Sequence, residues 1–244
     1  MGFQFAARDA VAPVMIDEIA QILPATPLAF RRVGHAADKA LRYQLVAVQS
    51  LAPGSNVFVH PDGRWLGRHI PAHYRGYPFR LMPVQGGGFV FSVDVDSELF
   101  LETGMPGSFA IFESPGRPSA EIKRLMEFHE QLEQRRRVTQ RAVDTLQKNG
   151  LIQPWCITLE GESKRLSGLF RIDEEALAAL ATTELSELHA AGSLPVAYGQ
   201  LFSQHCVANL HLRYRHWQML VSEQQGVEAL LADEEGLGLD FGVG

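Results

Sequence analysis

The sequence predicts an α+β fold: a largely antiparallel sheet with helices packed against it, one long central helix and a helical C-terminal third. Three observations predict it. Strand-type runs separated by Gly and Pro turns fill residues 42–112, an unbroken helical pattern spans Ser119–Asn149, and the segments after Asp173 keep helical spacing. Strands early and helices late favour a segregated α+β plan over an alternating one.

VMIDEIAQIL (14–23) places Val14, Ile16, Ile19, Ala20 and Leu23 near helical spacing and stops at Pro24, which predicts a short amphipathic helix. Arg42–Leu51, rich in Val and Leu, and the alternating Asn56–His60 (NVFVH) predict strands. Pro61-Asp62-Gly63 predicts a turn, because Gly accepts the positive φ that a reversal can demand. Pro71 suits the first position of a short helix that ends near Gly76.

Phe79–Val84 and Phe89–Val95 flank Gly86-Gly87-Gly88 and predict a hairpin, and Phe109–Phe112 predicts one more strand. Ser119 caps the long helix and Gly150 ends it, with Ile122, Leu125, Met126, Leu132 and Val143 on one stripe. Trp155–Leu159 and Leu166–Ile172 predict a second hairpin around the polar residues 160–164. Asp173 caps Glu174–Leu180, Thr183 caps a helix ended by Gly192, and Pro195 begins a third helix running to about Leu220.

A chain of 244 residues, 46% of them hydrophobic, can bury a sizeable core without disulfides, so Cys156 and Cys206 are not required as a framework. MGFQFAARDAVAPVM lacks a basic segment followed by an apolar run, and no window approaches 18 uninterrupted apolar residues. A cytoplasmic protein without membrane insertion is the expectation. Residues 222–244 hold Glu223, Glu228, Asp233, Glu234, Glu235 and Asp240 and no Lys or Arg. With those six acids set aside, acidic and basic side chains balance, so the formal charge of −6 resides in this tail. A neutral body lacks the electropositive field that nucleic-acid binding uses, which excludes that partner class.

The expected organisation is a single domain over residues 1–221 and an acidic tail over 222–244. The tail alternates its acids with Val227, Leu230, Leu231, Leu237, Leu239 and Phe241. That composition belongs to segments that order on a partner, or to a short helix on the domain itself.

His205, Cys206, His211 and His216 are ligand-type residues, but on one continuous helix His205 and His216 lie about 16 Å apart and His211 points elsewhere. Cys206 falls on the stripe of Phe202, Leu210, Trp217 and Leu220 and reads as a core thiol. His69 and His73 have i, i+4 spacing, yet Pro71 starts the helix between them and separates their faces. His129 and Arg136 sit on the apolar stripe of the long helix and read as structural groups.

Gly86-Gly87-Gly88 lacks the pattern of a phosphate loop, no GxSxG occurs, and Cys156 has no assigned base. No catalytic residue, metal site or cofactor is therefore assigned. The segment Trp65–Phe79 concentrates rings and guanidinium groups, and Trp65, Arg68, His69, Tyr74, Arg75 and Tyr77 are the candidate partner-binding residues. Aromatic and Arg side chains give large contact areas with few rotamers to freeze. The bland alternative is that the rings plug the core while the arginines stay solvated.

NVFVHPDGRWLGRHIPAHYRGYPFRL, GLIQPWCITLE, GLFRIDEEALAAL and AAGSLPVAYGQLFS, in this order and spacing, resemble the SapC-like family of bacterial proteins. The resemblance runs from about Pro27 to Leu212 and is most specific at Asn56, Phe58, Asp62–Trp65, Ile70–Ala72, Arg75 and Tyr77–Phe79. The family takes its name from an association with bacterial surface layers. Its members are often encoded beside flavin-dependent tryptophan halogenases, cupin-like proteins and TonB-dependent receptors. The resemblance carries over no catalytic residues.

The leading expectation is an accessory or binding protein that recognises a peptide or protein partner and presents it to a modifying enzyme such as a flavin-dependent halogenase. Two alternatives compete with it. One is an enzyme whose site assembles from distant residues such as His73, His129 and His205, around a metal or with His129 as a general base. The other is a surface-layer structural component.

Overall fold

The computed structural model describes residues 2–34, 41–84, 86–101, 105–158 and 165–236, and only the backbone of residues 41, 158, 165, 166 and 227–236. The predicted turn at 160–164 and the last part of the acidic tail, 237–244, lie outside the described residues.

The chain opens with strand β1 (Val11–Pro13), a 3-10 turn over Ile16–Glu18 and helix α1 (Ile19–Ile22). Strands β2 (Leu28–Gly34) and β3 (Leu41–Val48) follow, then the short helix α2 (Ala72–Arg75) and the hairpins β4 (Phe79–Pro83) with β5 (Phe89–Val93) and β6 (Phe112–Ser114) with β7 (Arg117–Pro118). The long helix α3 (Ala120–Lys148) leads to strands β8 (Ile152–Thr158) and β9 (Arg165–Ile172) and to helices α4 (Glu174–Ala178), α5 (Thr182–Ala190), α6 (Ser193–Ser203) and α7 (Cys206–Gly236). The α+β class with antiparallel sheets, a long α3 and a helical C-terminal part is as the sequence predicts.

One antiparallel sheet, in the order β1-β3-β2-β9-β8, organises the core. β2 pairs with β3 from Leu28↔Ala47 to Gly34↔Leu41 and with β9 at Phe30↔Phe170 and Arg31↔Leu169. Because side chains alternate along a strand, Leu28, Phe30, Tyr43, Leu45 and Phe170 face one layer, made by α1, α3, α5 and α6. Ala29, Val46, Val48, Trp155 and Leu169 face the other, closed by Leu51, Val57, Phe58 and Leu210 of α7. The apolar groups thus sit in two layers on either side of one sheet.

Buried polar side chains lock the layers in register. Gln200 of α6 accepts from Ile172 N at 2.8 Å and donates to Leu28 O at 3.2 Å, while Ser203 Oγ accepts from Leu28 N at 2.8 Å. Ser119 caps α3 by accepting from Ile122 N, and Asp173 caps α4 by accepting from Ala176 N.

Several expectations need correction. The central strand β2 and the edge strand β1 are absent from the sequence reading. NVFVH is not a strand: Asn56 Oδ1 accepts from Phe58 N at 3.0 Å, a local bond that turns the chain, and Val59 makes only one bridge, to Trp65. The strand expected at Phe109–Phe112 begins at Phe112 and folds back on Arg117–Pro118. α5 starts at Thr182 with Glu184 Oε2 accepting from Ala181 N, so Thr183 is not its cap.

The helix expected from Pro195 to Leu220 breaks at Gln204–His205, where side chains of Gln200 and Ser203 serve the sheet and the His205 ring bonds the Phe202 carbonyl. The break rotates Phe202 out to 65% exposure while Cys206 and Leu210 stay buried. α7 passes through residue 222 without interruption.

Replacing Gln200 by Leu leaves Ile172 N and Leu28 O buried without partners, and should lower stability by about 2–4 kcal/mol in urea unfolding. An unchanged midpoint would contradict the clamp.

Candidate partner-binding surface

The candidate segment is laid down by a turn. Gly63, at φ +88°, closes it with its N–H on His60 O at 2.8 Å, and Asp62 Oδ1 accepts from Arg64 N at 3.0 Å. That backbone N–H holds the exposed Asp62 carboxyl below its usual range. The bridge Val59↔Trp65 then points the Trp65 ring inward against Phe58 at 5.8 Å and Phe3 at 5.6 Å. Trp65 Nε1 donates to His69 O at 3.0 Å, closing the loop that leads to α2.

One carboxylate holds this loop to the N-terminal turn. Glu18, 3% exposed, accepts from Ala72 N at 2.7 Å and from His69 Nε2 at 2.8 Å on Oε1, and from Met15 N at 3.0 Å on Oε2. Arg75 Nη2 approaches the same Oε1 at 3.7 Å. A buried carboxylate is tolerable only when its lone pairs are filled, and here two backbone N–H groups and an imidazole fill them.

Tyr74 follows one turn on and is enclosed. Its hydroxyl donates to Gln49 Oε1 at 2.7 Å, and Asn56 Nδ2 donates to the same oxygen at 3.1 Å and to Ala6 O at 3.0 Å. Burial first, and the nearby Asp9 carboxyl second, raise the Tyr74 pKa far above the usual phenol value, so the hydroxyl stays a donor. Tyr77 stacks on Phe5 at 3.8 Å and gives its hydroxyl to Asp94 at 3.1 Å.

Gly76 is where α2 meets α3. A Cβ on it would stand 2.4 Å from the His129 ring, so only Gly allows the approach. His129 is buried, bonded through Nε2 to Gly76 O at 3.3 Å and edge-on to Phe91 at 5.7 Å. Burial lowers its pKa from the ordinary imidazole value.

The six candidates therefore divide. Tyr74 is wholly enclosed and cannot touch a partner, because its ring fills the third apolar cluster with Phe3, Ala12 and Val59. Trp65 and Tyr77 are half-buried, and His69 is turned onto Glu18. Arg68 and Arg75 are exposed, and Arg75 lies over the Phe128 ring at 5.9 Å. Trp65, Arg68 and His69, facing Gln21 and Thr26, line a narrow cleft of about 60 Å³.

Beyond the segment, the β4–β5 hairpin is a two-stranded sheet anchored by the stacked Phe79 and Phe91 rings and by His129. Met82 and Val90 of this hairpin, with Val95, Met105, Phe109 and Phe112 after it, are each about half exposed or more. Sequence reasoning missed this apolar surface, although Met82 follows Leu81 and Val90 precedes Phe91, so that both stand on the hairpin's opposite face.

It also missed Glu18 and Gln49. The available signal was position: Glu18 ends the 3-10 turn, three residues after the buried Met15 and four before the buried Ile22 of α1.

Among the described residues no group of three His, Cys, Asp or Glu side chains gathers as metal ligands. His73 is exposed on α2, His129 is buried on α3, and His205 is exposed at the α6–α7 junction. Cys206 is buried with its thiol on Leu23 O at 3.2 Å, and burial pushes its pKa up. Arg136, expected on the apolar stripe, is exposed and paired with Glu133 at 2.6 Å. No helix among the described residues is long and apolar enough to cross a membrane.

A five-stranded antiparallel sheet clad by helices on both faces, with a pinned aromatic segment and an uncovered hairpin, defines an α+β protein with an exposed apolar surface. A family model described as SapC matches residues 1–210, so the chain belongs to the SapC family. The match takes in the first residues, which the sequence reading placed outside the resemblance. No curated protein matches the chain, and no solved structure does.

Glu18→Ala should lower stability by about 3–5 kcal/mol, since it leaves two buried N–H groups and His69 without an acceptor. Chemical denaturation measures it, and a loss below about 1 kcal/mol would remove Glu18 from its role.

The depressed pKa of His129 has a pH consequence. Above the unfolded value of about 6.5 both states are neutral there and its packing is fully kept. As pH falls below that value the unfolded chain takes up the proton more readily, so stability declines. The urea midpoint should drop between about pH 7 and 5 in the wild type and drop less in His129→Gln. Parallel profiles would contradict this assignment.

Proposed function

We propose that this protein is an accessory or binding protein that takes a peptide or protein partner on the surface formed by Arg68, Arg75 and the β4–β5 hairpin. The observation that carries the reading is the run of half-exposed apolar side chains at Met82, Val90, Val95, Met105, Phe109 and Phe112. Clustered apolar exposure marks interaction sites, and Met82 and Val90 are cross-strand partners on one face of the hairpin. Arg68 and Arg75 are exposed guanidinium groups suited to carboxylates or backbone carbonyls of the partner.

The buried half of the aromatic segment supports the surface rather than forming it. Tyr74, Trp65 and Tyr77 are fixed by hydrogen bonds to Gln49, His69 and Asp94, so the exposed arginines start from a rigid base. Rigid presentation reduces the entropy lost on binding. The family resemblance implies a modifying enzyme such as a flavin-dependent halogenase as the neighbour to which the partner is presented, in the cytoplasm.

The test is affinity capture from the native organism with the full chain, followed by the same capture with Met82→Asp plus Val90→Asp and with Arg68→Glu. Both side-chain sets are exposed, so the variants should keep the wild-type melting temperature while losing the partner by about tenfold or more. A partner retained equally by both variants would place the site elsewhere.

A further inference from the structure

We propose that the acidic C-terminal segment of a second copy of this chain docks reciprocally into a basic groove on α3, so that the protein associates with itself through charge. The groove, about 440 Å³, is lined by Arg42 of β3 and by Arg137, Gln140, Arg141, Asp144 and Lys148 of α3. Four cations face a single acid there. The Asp144 carboxylate already accepts from Gln140 Nε2 at 2.8 Å, and Gln140 is tied to the sheet through Tyr43 O at 2.8 Å.

Lys148 is shared with Glu187 at 2.6 Å, and Arg137 lies over the Phe89 ring at 5.7 Å while reaching Glu133 at 3.4 Å. Arg42 and Arg141 have no ion pair within 4.0 Å among the described residues. Beside them on α3, Val138 is 49% exposed. The groove is therefore cationic, and it stands out on a chain whose net charge is −6.

The complement is in the same chain. Residues 222–244 carry six acids and no base, interspersed with Leu230, Leu231, Leu237 and Phe241. Five of those acids lie on α7, and Asp233, Glu234 and Glu235 are consecutive in its described range. Consecutive acids repel one another and gain from an external cation, which a basic groove supplies.

The donor must be another molecule. α7 is seated on the sheet by Leu210 and by Trp217, whose Nε1 donates to Val59 O at 2.9 Å. That face is opposite to the one α3 covers. Five of the six acids belong to α7, which is seated on the sheet face away from the groove, and this directs them to another molecule. A two-fold pair, in which each copy lends its helix end to the other, satisfies both grooves with one kind of contact.

Sedimentation velocity of the full chain tests the proposal. The wild type should self-associate at low salt and dissociate as salt rises. Arg137→Glu with Arg141→Glu should weaken association by about tenfold or more, and so should Asp233→Lys with Glu234→Lys and Glu235→Lys. Mixing the two reversed variants should restore a heterodimer, because reversed charges match again. Should the glutamates lower the melting temperature, Arg137→Gln with Arg141→Gln carries the same expectation. A wild type that stays monomeric at low salt overturns the proposal. So does an association indifferent to either set of changes, or a mixture that fails to pair. Retention of the hairpin's partner is independent of this result, so the two can fail separately.

Discussion

A single buried carboxylate sets the geometry of the N-terminal half. Removing the charge of Glu18 from water is costly, and only saturation of its oxygens offsets that cost. Met15 N, His69 Nε2 and Ala72 N provide the saturation at 3.0, 2.8 and 2.7 Å. They come from two segments far apart in sequence, so the same bonds that satisfy the charge fasten the Arg68–Arg75 loop to the turn before α1. Once Ala72 is fixed, Tyr74 enters its pocket against Gln49, and Gly76 arrives at the His129 ring. From there the chain enters the β4–β5 hairpin, whose Phe91 touches the same histidine.

The consequence is an inside that is rigid and an outside that is not covered. The five-stranded sheet has helices or packed loops on both faces, whereas the hairpin rests on α3 by one face only. Its remaining apolar side chains gain nothing from water and can gain from a partner. Exposed Arg68 and Arg75, on the segment that leads into the hairpin, add direction to such a contact without burying charge in the free protein. Structural and interaction roles are thus divided among neighbouring residues of one motif, with the rings turned inward and the guanidinium groups outward.

Local chemistry was legible in the sequence, and long-range chemistry was not. Ser119, Asp173, Gly63 and Gly150 act through bonds or dihedrals within a few residues, and the caps and turns they make lie where the sequence put them. β2 escaped notice because LAFRRVG has no clean alternation: Leu28, Ala29 and Phe30 are all buried, and two arginines follow. Its identity as a central strand comes from pairing with β9 far along the chain. NVFVH misled in the opposite direction, since Asn56 diverts the backbone into a side-chain-bonded turn. At the candidate site, residue types identified the segment, but only tertiary contacts decide that Tyr74 is enclosed while Arg68 is exposed. Glu18 drew no attention as one acid in a short helix, because its partners lie about fifty residues away.

Amide hydrogen exchange at Met15 and Ala72 in the unmodified protein reads the Glu18 contact most directly. Both N–H groups should exchange as slowly as the sheet amides of β3, through global unfolding. Exchange at the rate of an open loop, with β3 still protected, would contradict a pinned segment and with it the rigid base for the exposed arginines.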